Sequence, residues 1–257
     1  MAPTPKRWGT AWVVGASSGI GRELASALSG RADHVAASAR SAGKLDDLAA
    51  SKPNIGAYTA DVTDAEGLAS CVAAIEASGG PVDLAVFCAA QWKMMKAQSL
   101  DRDTVAEMFD VNYMGVVNAI QAVLPGMLAR RSGHVVIVAS VAGYRGLPRS
   151  LTYGPTKAAL INLAEALKIE LEPEGIAVSL VNPGFVDTPL TENNPFPMPD
   201  LITAKQAAEH ILAGLDADRF EIAFPWRFTR VLKLLRILPY GAYFAVIRRT
   251  VARRRKG

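Results

Sequence analysis

Three side chains in the middle of the sequence have the types and spacing for proton chemistry at a carbonyl. Tyr153 and Lys157, in Tyr153-Gly154-Pro155-Thr156-Lys157, stand four residues apart, and on a helix positions i and i+4 share a face. A phenol and an ammonium so placed point into one cleft. The fixed cation favours phenolate, which predicts a tyrosine pKa below its usual value near 10. Such a group serves as general acid toward a carbonyl near neutral pH and as base in the reverse direction. Ser140 closes the apolar run His134–Ala139, and its hydroxyl can hydrogen-bond a carbonyl oxygen as charge develops there. Plainer readings stand beside these: a tyrosine and a lysine at this spacing occur on many surface helices, and a serine after a strand is often a turn residue.

A second constellation lies near the N-terminus, in Gly15-Ala16-Ser17-Ser18-Gly19-Ile20-Gly21. It follows an apolar run and opens a helix-like segment. Strand, glycine turn and helix start together make an anion cradle suited to a pyrophosphate, with Ser17, Ser18, Gly19 and Ile20 lining it. Taken alone, the glycines could be a simple turn. The end of the second apolar run reads Ser38-Ala39-Arg40. A carboxylate there would hold the 2′-hydroxyl of NAD, whereas Arg40 can pair with the 2′-phosphate of NADP or stand solvated at a helix start. Asp61-Val62, after the third run, offers a side chain and a backbone amide to an adenine.

The elements that must position these residues alternate. Strand candidates are Thr10–Val14, His34–Ala39, Ile55–Thr59, Val82–Phe87, His134–Ala139, Ala177–Val181 and Glu221–Phe224. Helix candidates are Gly19–Ser29, Ser41–Ala50, Asp64–Ala77, Arg102–Arg131, Leu151–Glu172 and Thr203–Leu215, the last with a capping box from Thr203 and Gln206. Near-continuous apolar strands between helices predict an α/β fold: a doubly wound parallel sheet of about seven strands, Rossmann type. One oxidoreductase domain over residues 1–225 accounts for the body. The proline-rich stretch 189–200 is an irregular loop placed to cover a site.

Composition narrows the classes further. Half of the 257 residues are hydrophobic and a fifth charged, which excludes a disordered chain. Two cysteines, Cys71 and Cys88, are too few for a disulfide framework, and no Cys/His spacing suits a metal, so no metal site is expected. The N-terminus lacks the apolar stretch of a signal peptide. A reducing, cytoplasmic location follows. Ten of the 28 Lys/Arg lie beyond Glu221 with no Asp or Glu, leaving 18 basic against 24 acidic residues before them. Residues 226–257 therefore read as a basic, amphipathic helical tail. On a helical wheel Arg230, Lys233 and Arg236 fall on one side, and Phe228, Val231, Leu232, Leu234, Leu235 and Leu238 mainly on the other. Such a tail could lie on an anionic membrane surface, on the inner face of a membrane, or pack on protein. It carries no reading motif for nucleic acid.

With these motifs in place, the sequence resembles the short-chain dehydrogenase/reductase family over roughly Gly9 to Phe224. Gly15, Gly19 and Gly21 match its glycine motif, Tyr153 and Lys157 its catalytic motif, and Ser140 stands thirteen residues before the tyrosine, as the family pattern requires. Asn112 matches the helix asparagine that holds a water in a proton relay reaching the lysine. Asn182-Pro183-Gly184 with Val186-Asp187-Thr188 matches the segment beside the nicotinamide, implying cofactor contacts at Pro183, Gly184, Val186 and Thr188. The resemblance implies hydride transfer at the nicotinamide C4, with Lys157 positioning the nicotinamide ribose, and homodimers or homotetramers. One departure stands out: the family's Asn-Ala-Gly after the fourth strand is Cys88-Ala89-Ala90 here, so Cys88 and Ala89 line that cofactor wall without the usual asparagine. Cys88 reads as a reactive thiol or a buried small side chain.

Trp92, Met94, Tyr144, Leu147, Phe185, Leu190 and Phe196 could build an apolar substrate pocket. His34, His134 and His210 read as structural. The expected function is NADP(H)-dependent hydride transfer between nicotinamide and a lipophilic carbonyl or secondary alcohol. The alternatives are an NAD-dependent alcohol dehydrogenase of the same fold and a non-catalytic cofactor sensor or scaffold.

Overall fold

Each apolar run becomes a parallel strand. In the computed structural model, which describes residues 4–192, 194, 195 and 197–253, the strands are β1 (Trp8–Val14), β2 (Ala32–Ala39), β3 (Ile55–Thr59), β4 (Val82–Phe87), β5 (Gly133–Val138), β6 (Ile176–Pro183), β7 (Val186–Asp187), β8 (Ile202–Thr203) and β9 (Glu221–Phe224). The helices are α1 (Gly19–Leu28), α2 (Ala42–Ala50), α3 (Ala65–Gly79), α4 (Arg102–Phe109), α5 (Gly115–Arg130), α6 (Tyr153–Leu171), α7 (Ala204–Asp216), α8 (Trp226–Ile237) and α9 (Tyr240–Arg253). Seven strands pair in the order β3-β2-β1-β4-β5-β6-β9, all parallel. The order reverses between β1 and β4, and ligands bind outside the carboxyl ends of strands at such a switch point.

Side chains alternate across the sheet with the period of two that strands impose. Trp12, Val14, Phe87 and Ile137 join one core with α3, α5 and α6, while Ala11, Val13, Leu84 and Val136 join the other with α1 and α7. Trp12 is fully buried; its indole donates to Ser38 Oγ at 2.8 Å and meets Phe87 edge-on at 5.9 Å. Burying so large a ring with its N–H satisfied is worth several kcal/mol on the order of 25 cal/mol per Å². The helices cover both faces, which is why the strands read as apolar runs rather than alternating ones.

Two features depart from the simple alternation. The expected single helix Arg102–Arg131 is instead α4, a π-turn at Asp110–Met114 and α5. The wider turn is a local device often found at functional sites, and it carries Asn112. Arg102–Arg130 is also, among the described residues, the one helical run long and apolar enough to cross a membrane. Val116, Ile120, Val123 and Met127 are nevertheless buried in the core against the sheet. The loop 189–200 is bracketed by the short parallel pair β7–β8, and α7 begins with the expected capping box: Gln206 N donates to Thr203 Oγ1 at 3.1 Å and Thr203 N to Gln206 Oε1 at 2.9 Å.

The basic tail folds into two helices against the body. Tyr243 is 2% exposed and donates to Gly146 O at 2.5 Å. Arg145 Nη1 donates to Leu235 O at 2.9 Å and Leu238 O at 2.6 Å. A guanidinium thus satisfies orphan carbonyls at the C-terminus of α8, where the helix dipole favours a cation.

Candidate active site

A cleft of about 390 Å³ opens at the switch point. Its walls contain every cofactor candidate from Gly15 to Ala89, namely Gly15, Ser17, Ser18, Gly19, Ile20, Gly21, Arg40, Asp61, Val62, Cys88 and Ala89, with Thr188 and Leu190 across the mouth. Close approach explains the glycines. Gly15 has φ +89°, and a Cβ there would lie 2.5 Å from Ala89 N; one on Gly21 would lie 2.3 Å from Gly15 O. The turn folds back on its own helix only without side chains. Ser18 at the head of α1 makes no side-chain cap and no acid sits in the first turn, whereas Asp64 and Asp101 cap α3 and α4. The α1 amides therefore remain for an anion, and this cradle fits a dinucleotide pyrophosphate.

The second half of the site is more enclosed. Tyr153 and Lys157 open α6, and Ser140 lies two residues past β5, heading a short turn. That turn rests directly on α6: a Cβ on Gly143 would come 2.6 Å from the Lys157 carbonyl carbon. Gly143 is thus a residue that sets the distance between Ser140 and the tyrosine helix, and nothing in its local sequence announces this. Ser140 Oγ accepts from Ala142 N at 3.1 Å and lies near enough to the Tyr153 hydroxyl to oppose its upward shift. Lys157, 2% exposed, donates to Val138 O at 2.9 Å, with Nζ 5.5 Å from the Tyr153 ring centroid.

The electrostatics reverse one expectation. Burial pushes the Tyr153 phenol up to about 12, only partly opposed by Ser140. Burial also drives Lys157 down to about 8. The ammonium is aimed at a backbone carbonyl, so desolvation outweighs its attraction for phenolate. At neutral pH the pair is a neutral phenol beside a charged lysine. Cys88, in the place of the family's asparagine, is pushed up to about 12 by burial; it is an inert small side chain rather than a reactive thiolate. Its N–H donates to Val14 O at 2.8 Å, so β1 and β4 stay in register without the asparagine.

Asn112 is completely buried, but its amide is already committed. Oδ1 accepts from Gln91 N at 2.7 Å, and Nδ2 donates to Gln91 O at 2.9 Å and Thr156 Oγ1 at 3.2 Å. The side chain is thus a clamp joining the segment after β4 to α6. Pro183 ends β6 and Val186 opens β7, with Gly184 between them donating its N–H to Phe224 O at 2.7 Å.

The apolar pocket candidates separate. Leu190 lines the cleft. Met94 is 39% exposed on a segment stitched to the start of α6 through Thr152 Oγ1, which donates to Lys93 O at 2.8 Å; Trp92 is half-buried on the same segment. Tyr144 and Leu147 are corrected: they face the C-terminal helices, lining a crevice of about 10 Å³ with Leu232 and Tyr243. The Tyr144 hydroxyl donates to Glu221 Oε1 at 2.5 Å. Phe185 packs on Phe228, with ring centroids 5.4 Å apart. Phe196 lies outside the described residues. The histidines are structural: His34 pairs with Tyr58, His134 with Ser179, and His210 stacks on Phe224.

A doubly wound sheet, a phosphate cradle at its switch point and a Ser-Tyr-Lys group beyond it define a nicotinamide-dinucleotide oxidoreductase. The chain belongs to the short-chain dehydrogenase family, whose model matches residues 9–196. An uncharacterized oxidoreductase of Myxococcus xanthus is 35% identical over 93% of this chain and 96% of its own. Glycine betaine reductase of Emericella nidulans is 35% identical over 74% of this chain, a stretch that makes up 16% of that much longer protein. Among solved structures, a short chain dehydrogenase from Burkholderia cenocepacia in complex with NADP superposes with a TM-score of 0.82 at 25% identity, covering 95% of this chain and 99% of that one.

Proposed function

We propose that the chain is an NADPH-dependent reductase of apolar carbonyl compounds. The observation that carries this reading is the arrangement of Ser140, Tyr153 and Lys157: tyrosine and lysine share one face of α6, with Lys157 Nζ 5.5 Å from the Tyr153 ring centroid, and Ser140 heads the turn that rests on that helix. Burial favours the protonated phenol, the state a proton donor needs. When bound, the nicotinamide supplies a hydride from its ring C4. Ser140 donates to the substrate carbonyl oxygen and holds it against Tyr153. Tyr153 then passes its proton to that oxygen as negative charge gathers there, and Lys157 keeps the surroundings electropositive.

Three further observations support the finer points. Arg40 is exposed at the cleft wall where the second strand ends, with no acid in its place, as suits a 2′-phosphate. The Burkholderia relative carries NADP, and the Emericella relative is named as a reductase. Leu190 and Met94 present apolar surface on the substrate side.

Tyr153→Phe tests the assignment. Turnover of NADPH with a panel of aldehydes and ketones should be lost while NADPH still binds. Wild-type reduction should stay nearly level from about pH 6 to 7.5, while the reverse oxidation climbs with pH. Substantial residual turnover in the variant would remove the phenol from the reaction.

A further inference from the structure

The C-terminal helices present a face that the fold does not use. α8 turns Phe228, Thr229, Leu232 and Leu235 toward the body, yet Trp226, Val231, Leu234 and Ile237 are 60%, 55%, 64% and 77% exposed. At 3.6 residues per turn these four, together with Arg227 and Arg230, occupy one sector of about 140°. α9 extends the same kind of surface with Tyr240 at 71% and Phe244 at 49% exposure, and with Arg248 and Arg249 exposed. The helix therefore has two apolar rows, of which the body covers one. Open apolar surface of this kind marks an interaction site.

The charges are sorted in the same way. Lys233 and Arg236 turn back to Glu221 and Glu165. Among the described residues, Arg227, Arg230, Arg248 and Arg249 have no carboxylate partner, and no acid occurs beyond Glu221. Arg227 and Arg230 lie over the Trp226 ring at 5.4 and 5.7 Å.

We infer that this face docks on an anionic lipid surface. Trp226, Leu234, Ile237, Tyr240 and Phe244 enter the interfacial layer, and the arginines meet headgroup phosphates. Aromatic side chains with one polar end favour that layer. Helices of 12 and 14 residues are shorter than the roughly 20 needed to span a bilayer, so they lie in its plane. A second copy of the chain is a poorer occupant: an isologous contact sets the arginines against their own copies with no acid to offset them. The covered side of the hairpin is tied to the segment between Ser140 and Tyr153 through the hydrogen bonds of Arg145 and Tyr243 and through Arg236, which lies over the Tyr144 ring at 5.7 Å. Docking thus brings the substrate side of the cleft close to lipid, and it holds whichever carbonyl the cleft accepts.

Sedimentation of the full chain with vesicles tests this. One set is phosphatidylcholine alone and the other equal parts phosphatidylcholine and phosphatidylglycerol. Binding to the anionic set should exceed the neutral set at least tenfold and weaken with salt. Arg227→Ala with Arg230→Ala should weaken it about 30-fold, the effect expected of two interfacial arginines. Leu234→Glu with Ile237→Glu should abolish it, with NADPH binding and thermal melting unchanged for both pairs. Equal sedimentation of wild type and both variants overturns the inference. So does absence of vesicle binding, whether the wild type then self-associates through Leu234 or binds a DNA duplex through the arginines.

Discussion

Lys157 is held at a cost, and that cost should be measurable. The ammonium is 2% exposed, and burial lowers its pKa from 10.5 to about 8. At 1.36 kcal/mol per pKa unit, keeping the charge in place at neutral pH costs the folded chain about 3 kcal/mol. Lys157→Met keeps most of the apolar stem and removes the charge, but it also loses the hydrogen bond to Val138 O, worth about 1 kcal/mol. The variant should therefore be more stable than wild type by about 2 kcal/mol at pH 7, a rise of roughly 4–8 °C in Tm, while losing turnover. The pH dependence has a definite sign. Between about pH 8 and 10.5 the unfolded lysine keeps a proton that the folded one has released, so wild-type stability rises through this window. The variant has no such rise, so its advantage should close near about pH 9.5 and reverse by about 1 kcal/mol by about pH 10.5. Urea unfolding of both proteins at pH 7 and pH 10, with no dinucleotide added, measures it. A variant less stable at pH 7, or an advantage independent of pH, would show that burial does not penalise this ammonium.

Two other perturbations probe separate parts of the molecule. Arg40→Ala should weaken NADPH binding about 10- to 100-fold, the range for a lost charge-assisted contact, and leave NADH unchanged; equal loss of both in a fluorescence titration would take Arg40 away from the phosphate. Glu221 is pushed upward by burial but drawn lower overall by hydrogen bonds from Lys233, Tyr144 and Asn182. Its contribution is thus present above the ordinary carboxylate value of 4.5 and lost as pH falls through its lower folded value. Glu221→Gln should destabilise by about 1–3 kcal/mol at pH 7, with the difference fading in thermal melts as pH falls below 4.5.

Much of this protein was legible in the chain because the relevant physics is local. Buried parallel strands appear as continuous apolar runs, and each of the seven expected strands is present within a few residues. The Gly15–Gly21 turn is a contiguous segment whose backbone needs are met by its own residues. Tyr153 and Lys157 share a face through helix geometry alone. The tail could be read as amphipathic, but not which way round it sits. With apolar residues in two rows, the wheel leaves the choice open, and Phe228, Leu232 and Leu235 face inward only because β9 and the Ser140–Tyr153 segment present the matching surface.

Order and type of the elements, the phosphate turn and the Ser-Tyr-Lys set were determined by sequence, since neighbours along the chain suffice to specify them. The protonation of Tyr153, the clamp at Asn112, the contact of Gly143 with α6 and the turning of Tyr144 toward Glu221 were decided by tertiary structure. Each depends on burial or on a partner far away in the chain, and desolvation and long-range hydrogen bonds exist only once those distant segments have come together.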